Sequence, residues 1–297
     1  MQKRRWILTL FLFSVLWTVQ AERRAVNTTS TEQAFKNVYQ RFDFKGTPLS
    51  FEAFTSAYTG YLNLKQAGML VSDATLSVAD FTRSSNQKRF WVLDMKQHKV
   101  LYYSLVAHGQ GTGEEYAQAF SNTPESHQSS LGFYVTGPIY EGQHGASLKL
   151  RGVDGAFNSK AEERAIVIHG ADYVSDEFAR ANQRLGRSYG CPALPNEIAP
   201  QVITKIHDGH CLFIYAKQPN YLASSHWLRR KPDGLHDELA GSGLMASTVV
   251  YDDNEQCDKV ATQQVANDAP GTSVQRIVLS ADDLKRLGIS KDKIQRQ

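Results

Sequence analysis

The sequence predicts an α+β chain, mainly β with accompanying helices, on three observations. Short runs rich in β-branched and aromatic residues recur from Leu76 to Ile214, separated by Gly, Asn and charged residues. An apolar face at helical spacing precedes them: Phe51, Phe54, Tyr58, Tyr61 and Leu62. Hydrophobic residues make up 41% of 297 residues against 21% charged, enough apolar surface for a sizeable core and too much for a disordered chain.

Taken in order, the first element is a helix around Thr31–Phe42. The second follows Ser50 and stops before Gly68. RFWVLDM and KVLYYSLVA are β-rich runs joined by the polar turn from Lys96 to Lys99, which reads as a hairpin. Further strands are predicted at LGFYVTG, SLKLRG, AIVIHG and HCLFIYA. Two helices should lie between the last two. Ser175 can cap the first, with Asp176 and Glu177 in its opening turn, Val174, Phe178, Ala181 and Leu185 on its apolar face, and Gly186 at its end. Asn196 can cap the second, NEIAPQVITKI.

The ends differ from this middle. Residues 1–21 have a basic start (Lys3, Arg4, Arg5), an apolar stretch from Trp6 to Val19, and small residues at Val19-Gln20-Ala21, the layout of a secretory signal peptide. The apolar stretch is short for a membrane span, so no stable membrane insertion is expected beyond that segment. Removing its three bases leaves 30 Lys+Arg against 30 Asp+Glu, so the mature charge is zero and no nucleic-acid partner is implied. After residue 217 only three aromatics occur (Tyr221, Trp227, Tyr251), which predicts a largely flexible tail and a stable fragment ending soon after HCLFIYA. The expected layout is therefore a signal segment (1–21), a lead with helices (22–75), a catalytic domain (76–217) and a tail (218–297). Three cysteines exclude a disulfide framework.

The chemistry is concentrated in IVIHGADYVSDEFARANQRLGRSYGCPALP. Ile166, Val167 and Ile168 form a short apolar run that fits a buried strand, and His169-Gly170 ends it where strand meets loop. The chain returns at GRSYGC, where Gly186 and Gly190 allow a tight turn, and Pro192 biases Cys191 toward an extended backbone while its N–H stays available. A thiol near an imidazole, beside free backbone donors, has the parts for acyl transfer. That pairing predicts a thiol pKa below the ordinary value. Cys211, within CLFIY, reads as a buried apolar residue, and Cys257 has no chemical context. His207, His210 and Cys211, with Cys191 as a fourth group, have ligand-like spacing, but without paired CxxC units no metal or other cofactor is assigned.

From Phe51 to Pro195 the chain resembles the murein L,D-transpeptidase catalytic-domain family, a branch of the YkuD-type cysteine transpeptidases. The motifs that carry the resemblance are DFTRSSNQKRFWVLD, VAHGQGTG, FSNTPESHQSSLGFY, HGASLKLRGVDGAFN, AIVIHGADYVS and GRSYGCPAL. The resemblance implies a β-sandwich or barrel-like catalytic domain, with Cys191 as nucleophile and His169 as base. Gly170 would follow the base, and Ser188 and Gly190 would shape the nucleophile loop. Where the wider superfamily has His before Gly-Cys and Asn or Arg after it, this chain has Tyr189, Pro192 and Ala193. Tyr189, Arg187 and His108 are the candidate substrate-binding residues, Arg187 as a stand-in for the missing downstream arginine. Ser129 and Ser130 read as turn residues.

The implied activity is attack on peptidoglycan tetrapeptide stems, release of D-Ala and transfer of the acyl group to an amine, in the periplasm or cell envelope. Water as acceptor would make the same site an L,D-carboxypeptidase. A non-catalytic peptidoglycan-binding module is the alternative from another class. A sortase would need an arginine on a late strand, which HCLFIYA does not offer, and papain-like peptidases place Cys before His.

Overall fold

The computed structural model describes residues 31–230 and 232. Helix α1 (31–41) and helix α2 (Phe51–Gln66) come first. Ser50 caps α2 by accepting from the Ala53 N–H at 3.2 Å, and Gly68 follows its end at φ +65°. Phe54, Tyr58, Tyr61 and Leu62 are buried as their spacing predicts, while Phe51 is only partly covered.

Eight strands form one sheet in the order β3-β2-β1-β8-β4-β5-β6-β7. β1 (Thr75–Asp80), β2 (Phe90–Asp94) and β3 (Lys99–Ser104) make an antiparallel meander, with β2 and β3 as the expected hairpin. β1 then pairs in parallel with β8 (Cys211–Tyr215). Every residue of β1 and of β8 is buried, so both read as continuous runs and not as an alternation. β4 (Gly132–Gly142) and β5 (Gly145–Gly152) form a second hairpin, which leads to β6 (Val167–Ala171) and the short parallel strand β7 (Ala193–Pro195). The chain leaving β3 bridges back to this end, at Ala107–Ala193 and Gly109–Ser188, so the two edges of the sheet meet and it nearly closes. In the core, Phe133 stacks on Phe213 with ring centroids 4.1 Å apart. Gly60 of α2 makes room for Phe133: a Cβ there would lie 2.0 Å from the ring.

Four details depart from the sequence expectation. Helix α3 (Asp176–Asn182) has its Ser175 cap, but Gln183 at φ 59° ends it, short of Gly186. Its expected apolar face is divided: Val174 and Leu185, on either side of the helix, enter a buried cluster, whereas Ala181 is exposed. Helix α4 (Ala199–Ile206) starts from Ile198 with no side-chain cap, so Asn196 does not serve it and lies instead in the turn after β7. The packed unit also runs past residue 217. Helices α5 (Pro219–Ser224) and α6 (His226–Arg229) continue it, and Tyr221 and Trp227 are buried.

Asp154 explains that extension. Its buried carboxylate accepts from Tyr221 Oη at 2.7 Å and Ser225 Oγ at 2.8 Å, and Trp227 Nε1 donates to the Val153 carbonyl at 2.7 Å. From α2, Asn63 Nδ2 donates to the carbonyls of Trp227 and Arg230 at 2.7 and 2.9 Å. The expected signal segment, Cys257 and the chain beyond residue 232 lie outside the described residues. Among the described residues no helix is long and apolar enough to cross a membrane.

Candidate active site

Strand register brings the histidine and the cysteine together. His169 of β6 stands opposite Ala193 of β7 in a parallel pairing. Cys191 enters β7 two residues earlier, which places it beside Val167, and the Val167 N–H reaches Cys191 Sγ at 3.4 Å. Residues 167 and 169 share one face of β6, so by register the backbone position of Cys191 lies two residues along that face from His169, at roughly 3.3 Å per residue. Cys191 is partly exposed and His169 is largely covered.

The imidazole has a fixed tautomer. His169 Nδ1 lies 2.8 Å from the Gly170 carbonyl, which can only accept, so Nδ1 carries the proton and Nε2 the lone pair. Burial holds its pKa below the ordinary histidine value, against the pull of that hydrogen bond, and His144 adds to the lowering. His144, on the turn between β4 and β5, stacks on the His169 ring with centroids 4.4 Å apart. Gly170 is a close-approach position, where a Cβ would meet Asn196 Oδ1 at 2.5 Å.

The thiol departs from expectation. Burial pushes the Cys191 pKa up, and the Val167 N–H and the Arg164 charge only partly offset it. Its sulfur hydrogen-bonds to the Val167 N–H and the Ala165 carbonyl (3.7 Å), not to the imidazole. The resting pair is therefore neutral thiol and neutral imidazole, a correction to the depressed pKa that the sequence suggested.

The loop around Cys191 is braced by hydroxyls. Ser188 Oγ donates to the Cys191 carbonyl at 2.7 Å and accepts from the Gly190 N–H at 3.0 Å. Gly190 sits at φ +123°, and a Cβ there would meet the Gln128 carbonyl at 2.8 Å, so this position requires glycine. Ser129 Oγ, read from sequence as a turn group, donates to the Gly190 carbonyl and accepts from the Gly109 N–H.

The three candidate substrate residues divide. Tyr189 is 66% exposed and stacks on His127 with centroids 4.2 Å apart, so it stands on the surface next to the thiol. His108 does not face the site. It is buried, its Nδ1 accepts from Arg89 Nη2 at 2.7 Å, and its Nε2 donates to the Gly113 carbonyl at 3.2 Å. Burial, with the Arg89 charge, pushes its pKa down to about 4. Arg187 is committed as well: Nη1 pairs with Glu114 at 2.7 Å, and Arg184 holds the other carboxylate oxygen at 2.8 Å. Neither residue is free to hold a substrate carboxylate.

Sequence reasoning missed Arg164. It precedes β6 by three residues, and its Nη2 lies 3.2 Å from where a Gly190 Cβ would stand. Nothing local marks it, since it is one charge among several in AEERA. The residues with ligand-like spacing scatter: His207 pairs with Asp208, His210 Nδ1 with Thr75 Oγ1, and Cys211 is buried in β8.

No curated protein sequence matches the chain. Among solved structures, an L,D-transpeptidase from Mycobacterium smegmatis aligns at 12% identity over 48% of this chain and 59% of that one, with a TM-score of 0.31. An L,D-transpeptidase from Xylanimonas cellulosilytica aligns at 13% identity over 56% and 81%, with a TM-score of 0.30. The helical cell shape determining protein of Campylobacter jejuni aligns at 12% over 54% and 57%, with a TM-score of 0.30. The chain thus spans less than two thirds of the first of these. The L,D-transpeptidase catalytic domain profile matches residues 45–215, more than half of the chain and a span containing both His169 and Cys191. The chain belongs to the L,D-transpeptidase catalytic domain family.

Proposed function

We propose that the protein is a secreted cysteine L,D-transpeptidase acting on peptidoglycan tetrapeptide stems, with Cys191 as nucleophile and His169 as base. The observation that supports this reading is the β6–β7 register, which brings the strand positions of a single-tautomer imidazole and a partly exposed thiol within two residues of each other inside the matched family span. Because the resting pair is neutral, proton transfer accompanies attack. The Cys191 thiol proton moves to His169 Nε2 as sulfur bonds to the carbonyl that follows the diamino acid's L-centre. The Gly190 N–H is taken by Ser188, whereas the Cys191 N–H has no acceptor among the described residues, so it is the donor offered to the oxyanion. Collapse breaks the C–N bond, His169 returns its proton to the nitrogen, and D-Ala leaves. An acceptor amine then attacks the thioester, its proton passes through His169, and the thiol is restored. Ser188 and Gly190 set the loop's shape, Gly170 lets α4 approach behind the base, and Tyr189 flanks the entry. The amino-terminal 21 residues support delivery to the periplasm or envelope, where such stems lie.

The test is incubation of the mature protein with disaccharide tetrapeptide, followed by mass analysis of the products. A 3→3 dimer with release of D-Ala is expected, and Cys191→Ala should form none. Tripeptide without dimer would identify water as the acceptor and make the enzyme a carboxypeptidase. Unchanged substrate with a correctly folded protein would leave only the binding-module reading.

A further inference from the structure

We infer that Arg164 is a positioning residue for Cys191, holding the nucleophile loop in place and setting an uncompensated positive charge against Gly190, the residue before the nucleophile. The inference rests on Cys191 being the nucleophile, but its readouts need no substrate. Arg164 lies in the turn ahead of β6 and is partly buried. Its Nη1 donates to the Ser121 carbonyl at 2.8 Å and to Ser130 Oγ, and its Nη2 to Ser126 Oγ at 3.3 Å and the Gln128 carbonyl. Those four acceptors lie on the 121–130 segment, the same segment that contacts Gly190 through Ser129 Oγ. One side chain thereby ties the β6 turn to the wall of the nucleophile loop.

All four acceptors are uncharged, and among the described residues Arg164 forms no ion pair with a carboxylate. A guanidinium in that state has no counter-charge to cancel its field. The four bonds occupy its Nη atoms, so no fork remains to clamp a substrate carboxylate. Its effect must pass through Cys191, where positive charge favours thiolate and the developing oxyanion. The other titratable groups around the thiol are His169 on β6, His144 stacked on it from the β4–β5 turn, and Tyr173 after β6. Arg187, on the nucleophile's own loop, is turned to Glu114, and Glu162 and Glu163 are exposed. Arg164 is therefore an uncompensated cation beside the nucleophile loop, and its charge opposes the upward push of burial on the Cys191 thiol.

The test is the pH dependence of Cys191 alkylation by iodoacetamide, read by peptide mapping in the full chain, for wild type, Arg164→Gln and Arg164→Lys. Loss of that neighbouring charge predicts that the alkylation midpoint rises by about one pH unit in the glutamine variant, a roughly tenfold slower reaction at pH 7. Lysine, which keeps the charge and loses the fork, should recover at least half of that shift. If the glutamine variant does not fold, wild type alone decides. Its rate with anionic iodoacetate relative to neutral iodoacetamide should exceed the same ratio for free cysteine several-fold. Equal shifts in both variants, an unmoved midpoint in a folded glutamine variant, or a wild-type ratio no higher than that of free cysteine would overturn the inference.

Discussion

At the scale of single residues, the site depends on groups that orient others. Ser188 is the clearest, since one hydroxyl binds both the Cys191 carbonyl and the Gly190 N–H. Removing it leaves the thiol in place but frees its loop. Ser188→Ala should lower kcat about tenfold, roughly 1.4 kcal/mol, with KM little changed; steady-state kinetics on the disaccharide tetrapeptide would check this, and an unchanged kcat would count against the brace. His108 makes a different prediction. Its folded pKa of about 4 lies below the ordinary 6.5, so its contribution to stability is present above pH 6.5 and is lost as pH falls through 4. That window is worth on the order of 3 kcal/mol. His169 and His210 are shifted in the same direction, while the raised Asp154 acts in the opposite sense. Glutamine can accept from Arg89 and donate to Gly113 without titrating. Denaturant melts of His108→Gln between pH 8 and 4 should therefore show a clearly flatter loss of stability than wild type, and parallel curves would refute the assignment.

At the scale of elements, the sequence was informative where a signal is local. The caps at Ser50 and Ser175 need only the next turn, and the β2–β3 hairpin needs only its own polar turn. What escaped it depends on distant partners. β7 is three residues long and ends in Pro195, too short for any period to show, and it exists because His169 to Ala171 offer it an edge. The fates of His108 and Arg187 were equally hidden, since Arg89 and Glu114 lie 19 and 73 residues away. The His169-then-Cys191 order was legible, whereas Arg164 was not, because its partners are carbonyls and hydroxyls from another segment. Gly60 sets two local rules against each other. Alanine is the better helix former by about 1 kcal/mol, yet its Cβ would enter the Phe133 ring, and overpacking costs roughly 1–3 kcal/mol. Gly60→Ala should therefore be destabilising in a thermal melt, with partial recovery in combination with Phe133→Leu. A stabilised single variant would mean that Phe133 yields at no cost.

At the scale of the whole molecule, the boundary of the packed unit is the main correction. Low aromatic content after residue 217 suggested a dispensable tail, but two of its few aromatics, Tyr221 and Trp227, are buried against Asp154 and Val153. Burying such side chains contributes roughly 1.5–3 kcal/mol each, and losing their hydrogen bonds strands a buried carboxylate. A chain ending at Lys217 should be more than about 4 kcal/mol less stable than one ending at Pro232 and should lose most of its soluble yield. Equal melting of the two would return the boundary to residue 217. The central claim is that this fold exists to hold one acylating thiol. Intact-mass analysis during turnover of disaccharide tetrapeptide, followed by peptide mapping, addresses it most directly. The account predicts a covalent adduct of the donor less D-Ala on the peptide containing Cys191, absent from Cys191→Ala. An adduct on Cys211 or Cys257, or undiminished product from Cys191→Ala, would contradict it.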